Sequence, residues 1–183
     1  VLAEKTESGY KIIDMETAAH EKRSMTDGQI EDNEAVAEVI KTVRAALEKR
    51  RSVKLSHVCI AAAGRALRTM RAKWEYPLDP IKTITTDDIR SAELEAVRRT
   101  EEQFSSQFDT SAFYCVGHSV ISLALDGYRT AKPEGHRGSV LETEMIAAFL
   151  PAYVVESLCA AVDIAGLDVA GLTLEPIAAM NAV

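Results

Sequence analysis

The chain has 183 residues, 47% apolar and 27% charged, which suits one or two compact units with a real core and excludes a disordered or fibrous chain. Its 28 acidic against 21 basic side chains leave a net charge of −7, which disfavours contact along a phosphate backbone, so no nucleic acid is expected as a partner. Cys59, Cys115 and Cys159 include no Cys-x-x-Cys spacing, which gives neither a disulfide framework nor a zinc knuckle and fits a reducing cytoplasm; no apolar run nears the ~18 residues of a membrane span, so no direct membrane contact is expected from this segment.

In chain order, Glu7-Ser8-Gly9 is a turn signal inside an otherwise extended stretch, and residues 1–20 read as a hairpin. Asp32 or Asn33 can cap a helix whose Val36, Val39, Ile40, Val43 and Leu47 share one face. That helix ends near Lys49-Arg50-Arg51, where cations suit its C-terminal dipole. His57 to Ala63 is a short apolar run closed by Gly64, as a buried strand would be. Arg65 to Trp74 alternates as an exposed edge strand, with a breaking loop from Tyr76 to Pro80.

Thr85-Thr86-Asp87-Asp88 has the form of a capping box, and Ile89, Ala92, Ala96 and Val97 carry a second helix to about Gln103. Phe113 to Leu125 reads as a strand ended by the hairpin turn Asp126-Gly127. After a loop over 133–138, Leu141, Thr143, Met145, Ala147 and Phe149 alternate as a strand. Pro151 suits the first turn of a helix with Val154, Val155, Leu158 and Val162 on one face, ended by Gly166. Leu167 to Leu174 is a short strand, and Glu175-Pro176 opens a final helix through Ile177 and Met180. The opening at Val1 and the apolar close without a stop signal predict that the protein continues on both sides.

Several motifs resemble those of the bacterial cell-division FtsA family of actin-like ATPases. They are Met25-Thr26-Asp27-Gly28-Gln29-Ile30-Glu31-Asp32, Val58 to Gly64, and Ile84-Thr85-Thr86-Asp87-Asp88-Ile89. Leu125-Asp126-Gly127-Tyr128 and Pro133 to Glu142 are similar to that family's D-G, P-x-G-x-x-G and L-E series. Leu174-Glu175-Pro176-Ile177-Ala178-Ala179 resembles the connecting helix of the chaperone ATPases in the same superfamily.

The resemblance implies an α/β chain with an α+β insert: a partial actin-like ribonuclease-H fold carrying an FtsA-type strand-helix-strand-strand subdomain. Residues 1–64 would be the first part of the actin-like subdomain, 65–149 the inserted contact subdomain, and 150–183 the return to the actin-like part. It further implies ATP and magnesium in the full-length protein, protein partners in the division machinery, and a place at the inner face of the cytoplasmic membrane. The phosphate-loop patterns D-x-G-x-[ST] and D-x-G-x-G-T are not in the sequence, so no catalysis and no cofactor are expected from this chain alone. A pilus-assembly PilM branch shares the fold and stands as the alternative.

Candidate residues are few. Glu175, through the chaperone resemblance, would lie near the magnesium-nucleotide site of the full-length protein. Arg65, Arg68, Arg71 and Lys73 form a basic run that either protects an exposed edge or contacts a partner. A self-contained thiol or carboxylate enzyme would require Cys115, His118 and Glu142 in one pocket. Simple alternation instead puts Cys115 and His118 on opposite faces, and leaves Glu142 and Glu144 on a solvated one. His57 and His136, the latter with only Glu134 nearby, are too few for a metal site. Self-association is expected, most simply as a two-fold dimer through the 1–20 hairpin or the final helix.

Overall fold

The computed structural model describes residues 1–7, 9–20, 23–62, 66–108 and 113–175. Its elements in chain order are β1 (Leu2–Thr6), β2 (Gly9–Asp14), β3 (Met25–Thr26), β4 (Gln29–Ile30), α1 (Asn33–Arg51), β5 (His57–Ala62), β6 (Arg68–Pro77), α2 (Thr86–Gln107), β7 (Phe113–Leu125), β8 (Tyr128–Thr130), β9 (Val140–Pro151), α3 (Ala152–Ile164) and β10 (Asp168–Leu174). They fall into two compact units, Val1–Arg65 with Tyr153–Val183, and Ala66–Ala152. Gly64, Arg65 and the expected final helix from Pro176 through Ile177 and Met180 lie outside the described residues.

In the first unit β1 and β2 form the expected antiparallel hairpin. A second, very short hairpin joins β3 to β4 through Asp27 and Gly28, whose φ values of 52° and 80° are the positive pair that a type I′ turn demands. Helix α1 starts where the Asp32 carboxylate accepts the Ala35 amide at 2.9 Å, and its last turn carries Lys49, Arg50 and Arg51. Those cations also fix the hairpin. Arg51 reaches Asp14 at 2.8 Å and Arg50 reaches it at 3.1 Å, with Glu16 as a second partner of Arg50.

Strands β5 and β10 pair in parallel, Val58 opposite Val169 and Ala62 opposite Leu174, so segments far apart in sequence meet in one sheet. A parallel pair needs a long connection, and this one includes all of the second unit and α3. Arg44 ties α1 to the end of that connection, donating to the carbonyls of Ala165 at 3.1 Å and Gly166 at 2.9 Å.

The second unit is an antiparallel sheet in the order β6-β9-β7-β8 with α2 packed on it. On the central strand β9, Leu141, Thr143, Met145, Ala147 and Phe149 are buried. Helix α2 buries Ala92, Ala96, Thr100 and Phe104, one residue every four, as a single helical stripe. The Phe104 and Phe149 rings stack with centroids 3.8 Å apart. Thr100 accepts the Trp74 indole N–H at 2.8 Å and donates to the Ala96 carbonyl, so its hydroxyl and the indole N–H are both satisfied.

Three expected boundaries move. Strand β6 does not break at Tyr76: Tyr76 and Pro77 pair with Leu141 and Val140, because a proline is tolerated as the last residue of an edge strand. Helix α2 runs past Gln103 because burying Phe104 against Phe149 stabilises one more turn. Strand β9 continues to Pro151, which pairs with Phe113, so α3 starts at Ala152 and Pro151 is not in its first turn.

Candidate functional site

Of the basic run, the structure brings Arg71 and Lys73 together and separates Arg68 from them. On β6 the even residues Met70, Ala72, Trp74 and Tyr76 are half-buried or buried, while Arg71, Lys73 and Glu75 are exposed. Arg71 binds Glu144 at 2.7 Å, and Lys73 binds Glu142. The pairing is diagonal, since in register Lys73 faces Glu144 and Glu75 faces Glu142. Ser122 on β7 donates to the second Glu144 oxygen at 2.8 Å. Hydrogen bonds from Ser122 and then Arg71 lower the Glu144 carboxyl below its usual range, and the bond to Glu142 raises the Lys73 ammonium.

This open sheet face is therefore a lattice of compensated charges. Exposed pairs of this kind contribute little to stability, because solvent screens them. Arg68 points its guanidinium over the Phe108 ring, 5.5 Å from the centroid. Arg65 lies outside the described residues.

Cys115 and His118 do not obey simple alternation. A bulge between Cys115 and Gly117 sets Cys115 opposite Phe149 and His118 opposite Ala147, two residues of one β9 face. The expectation of opposite faces fails because the extra residue shifts the period. They still form no catalytic pair: the cavity at Cys115 is lined by Glu101, Phe104, Phe113, Tyr114 and Phe149, with neither His118 nor Glu142. Burial pushes the Cys115 thiol up to about 11, with Glu101 adding to the effect, which suppresses the thiolate that a nucleophile needs. Glu142 is held by Lys73.

Glu175 is exposed, directly after β10. Among the described residues no three His, Cys, Asp or Glu side chains gather as a metal site. A cavity of about 490 Å³ in the first unit is lined by Ala18, Ala19, His20, Ser24, Ala35, Glu38, Val39 and Thr42. His57 lies 4.0 Å from Asp168, and His136 sits in a loop whose Glu134 accepts from Thr86 at 2.5 Å. No helix among the described residues is long and apolar enough to cross a membrane.

Sequence reasoning missed an edge of β7 that, among the described residues, is largely unpaired. That strand has 13 residues and β8 only three, and β8 pairs only with Leu123, Ala124 and Leu125. The signal was available in the length of the apolar run before Asp126-Gly127 compared with the short run after it.

Comparison with solved structures finds the chain similar to one in a PilM-PilN type IV pilus biogenesis complex, with 20% identity and a TM-score of 0.55. The fold is similar to that of PilM. The match covers 87% of this chain but 39% of the other, so the chain spans about two fifths of that protein's length. At this identity the likeness shows the fold alone, that of a mixed α/β chain similar to the one in that complex, and does not select FtsA. No family model matches the chain, and no curated protein matches it.

Proposed function

We propose that this chain is part of an actin-like ATPase that works in assembling an envelope machine of the pilus type, with residues 66–152 as its inserted contact subdomain. The observation that carries the reading is the likeness to a chain of the PilM-PilN complex over most of this chain's length. The second unit supports it, because β6, α2, β7 and β9 follow the strand-helix-strand-strand order expected of a contact subdomain in this superfamily. ATP and magnesium belong, in this reading, to the full-length protein, with Glu175 near their site. Its partners are proteins, one of them a counterpart of PilN. The protein acts at the inner face of the cytoplasmic membrane.

A division role remains the second reading, favoured by the D-G, P-x-G-x-x-G and L-E series. In the fold those residues serve a hairpin and its loop: the Asp126 carboxylate accepts the amides of Ser139 and Val140, both at 2.9 Å. A Cβ on Gly138 would lie 2.4 Å from Leu125. The motif thus has a structural reason to exist in either branch. Disrupting the gene separates the two readings: loss of surface pili at normal cell length is the expected result, and filamentous cells with intact pili would replace the pilus reading by the division one.

A further inference from the structure

The uncovered length of β7 ends in a groove of about 430 Å³ lined by Val120, Ile121, Ser122, Leu123, Arg129, Thr130 and Ala131. It opens where β8 stops after Thr130 and leaves the rest of β7 without a neighbour on that side among the described residues. Unpaired strand edges offer a row of backbone donors and acceptors to any extended chain. A second β7 bulge, between Val120 and Ser122, inserts Ile121, which stays 40% exposed. Bulges at such places re-aim a side chain, and here the re-aimed side chain lines the groove.

Charge selects the occupant. No carboxylate lines the groove, in a chain with a net charge of −7. Arg129 lines it and forms no ion pair among the described residues, nor does Lys132 just beyond. Glu142, in the same cross-strand row as Arg129, is held by Lys73, and Glu144 has Arg71 and Ser122 as direct partners and feels Arg129 only through space. A cation with no direct ion pair among the described residues, beside an open edge and an apolar side chain, favours an extended segment that alternates apolar and acidic residues.

We propose that β7 binds such a segment of a partner protein by strand addition in line with β8, with an apolar side chain beside Ile121 and a carboxylate on Arg129. This deepens the contact role of the second unit and rests on that reading. The test is selection of random linear dodecapeptides displayed on phage against the 183-residue chain, followed by fluorescence polarisation and amide NMR shifts with the selected peptides. Enriched peptides should alternate apolar and acidic residues, shift the amides of residues 113–122, and lose affinity about tenfold or more on Arg129→Glu. Because Arg129 is exposed, that variant should keep the circular dichroism of the parent chain. Failure to enrich such peptides, shifts confined to β6, or equal affinity for Arg129→Glu would each overturn the proposal. Gene disruption would still judge the pilus reading separately.

Discussion

Replacing Thr143 by valine should raise the stability of the second unit. Thr143 is 1% exposed on the central strand β9, and its hydroxyl has no hydrogen-bond partner. It sits in register between Trp74 of β6 and Leu123 of β7. An unsatisfied buried hydroxyl costs about 1–3 kcal/mol, and valine keeps the branched shape while removing that group. The expected gain is about 1 kcal/mol, or about 4–8 °C in the melting temperature of a domain this size.

Thr100→Val is the matched control. The Thr100 hydroxyl is fully engaged with Trp74 and Ala96, so its loss should cost about 1–2 kcal/mol by stranding the indole N–H. Urea unfolding followed by Trp74 fluorescence reads both variants, and unchanged m-values would establish that stability alone has changed. If Thr143→Val destabilises by as much as Thr100→Val, the hydroxyl has a partner and the reasoning is refuted.

Asp14 is held at about 2, below its ordinary 3.8, chiefly by its hydrogen bond to Arg50 and then that to Arg51. A depressed carboxylate stabilises the fold above its unfolded value and loses that contribution as pH falls from 3.8 towards 2. Asp14→Asn should flatten this acid limb, read by circular dichroism against pH, and an unchanged limb would remove Asp14 as its cause. The raised Cys115 thiol should alkylate more slowly with iodoacetamide at pH 8 than the exposed Cys59, as read by peptide mass spectrometry, and a faster Cys115 would revive a thiol role. Tyr10, Ile12 and Met15 stand 76%, 67% and 64% exposed on or beside the hairpin, so Ile12→Lys should shift sedimentation equilibrium at tens of micromolar towards monomer. A parent chain that is already monomeric there would contradict self-association.

The sequence made the caps and turns legible because they depend on a few adjacent atoms. Asp32 and the reciprocal Thr85–Asp88 box start α1 and α2 where expected, and Asp126 and Gly127 turn with positive φ. The β5–β10 pairing agreed with the order of elements that the resemblance implied. Features set by distant residues were not legible. The last turn of α2 depends on Phe149, some forty residues on, and the side on which His118 lies depends on a bulge that alternation cannot reveal. The basic run read as a candidate contact, yet Arg71 and Lys73 are matched to Glu144 and Glu142 by a strand register that no local pattern encodes. The edge of β7 left unpaired among the described residues likewise becomes visible only when β8 proves so short.

Calorimetric titration of magnesium-ATP into the full-length protein and, in parallel, into residues 1–183 tests the actin-like ATPase reading most directly. Saturable binding is expected of the full-length protein and none of the 183-residue chain, whose sequence carries neither D-x-G-x-[ST] nor D-x-G-x-G-T. Absence of binding by the full-length protein, or micromolar binding by residues 1–183 alone, would contradict that reading.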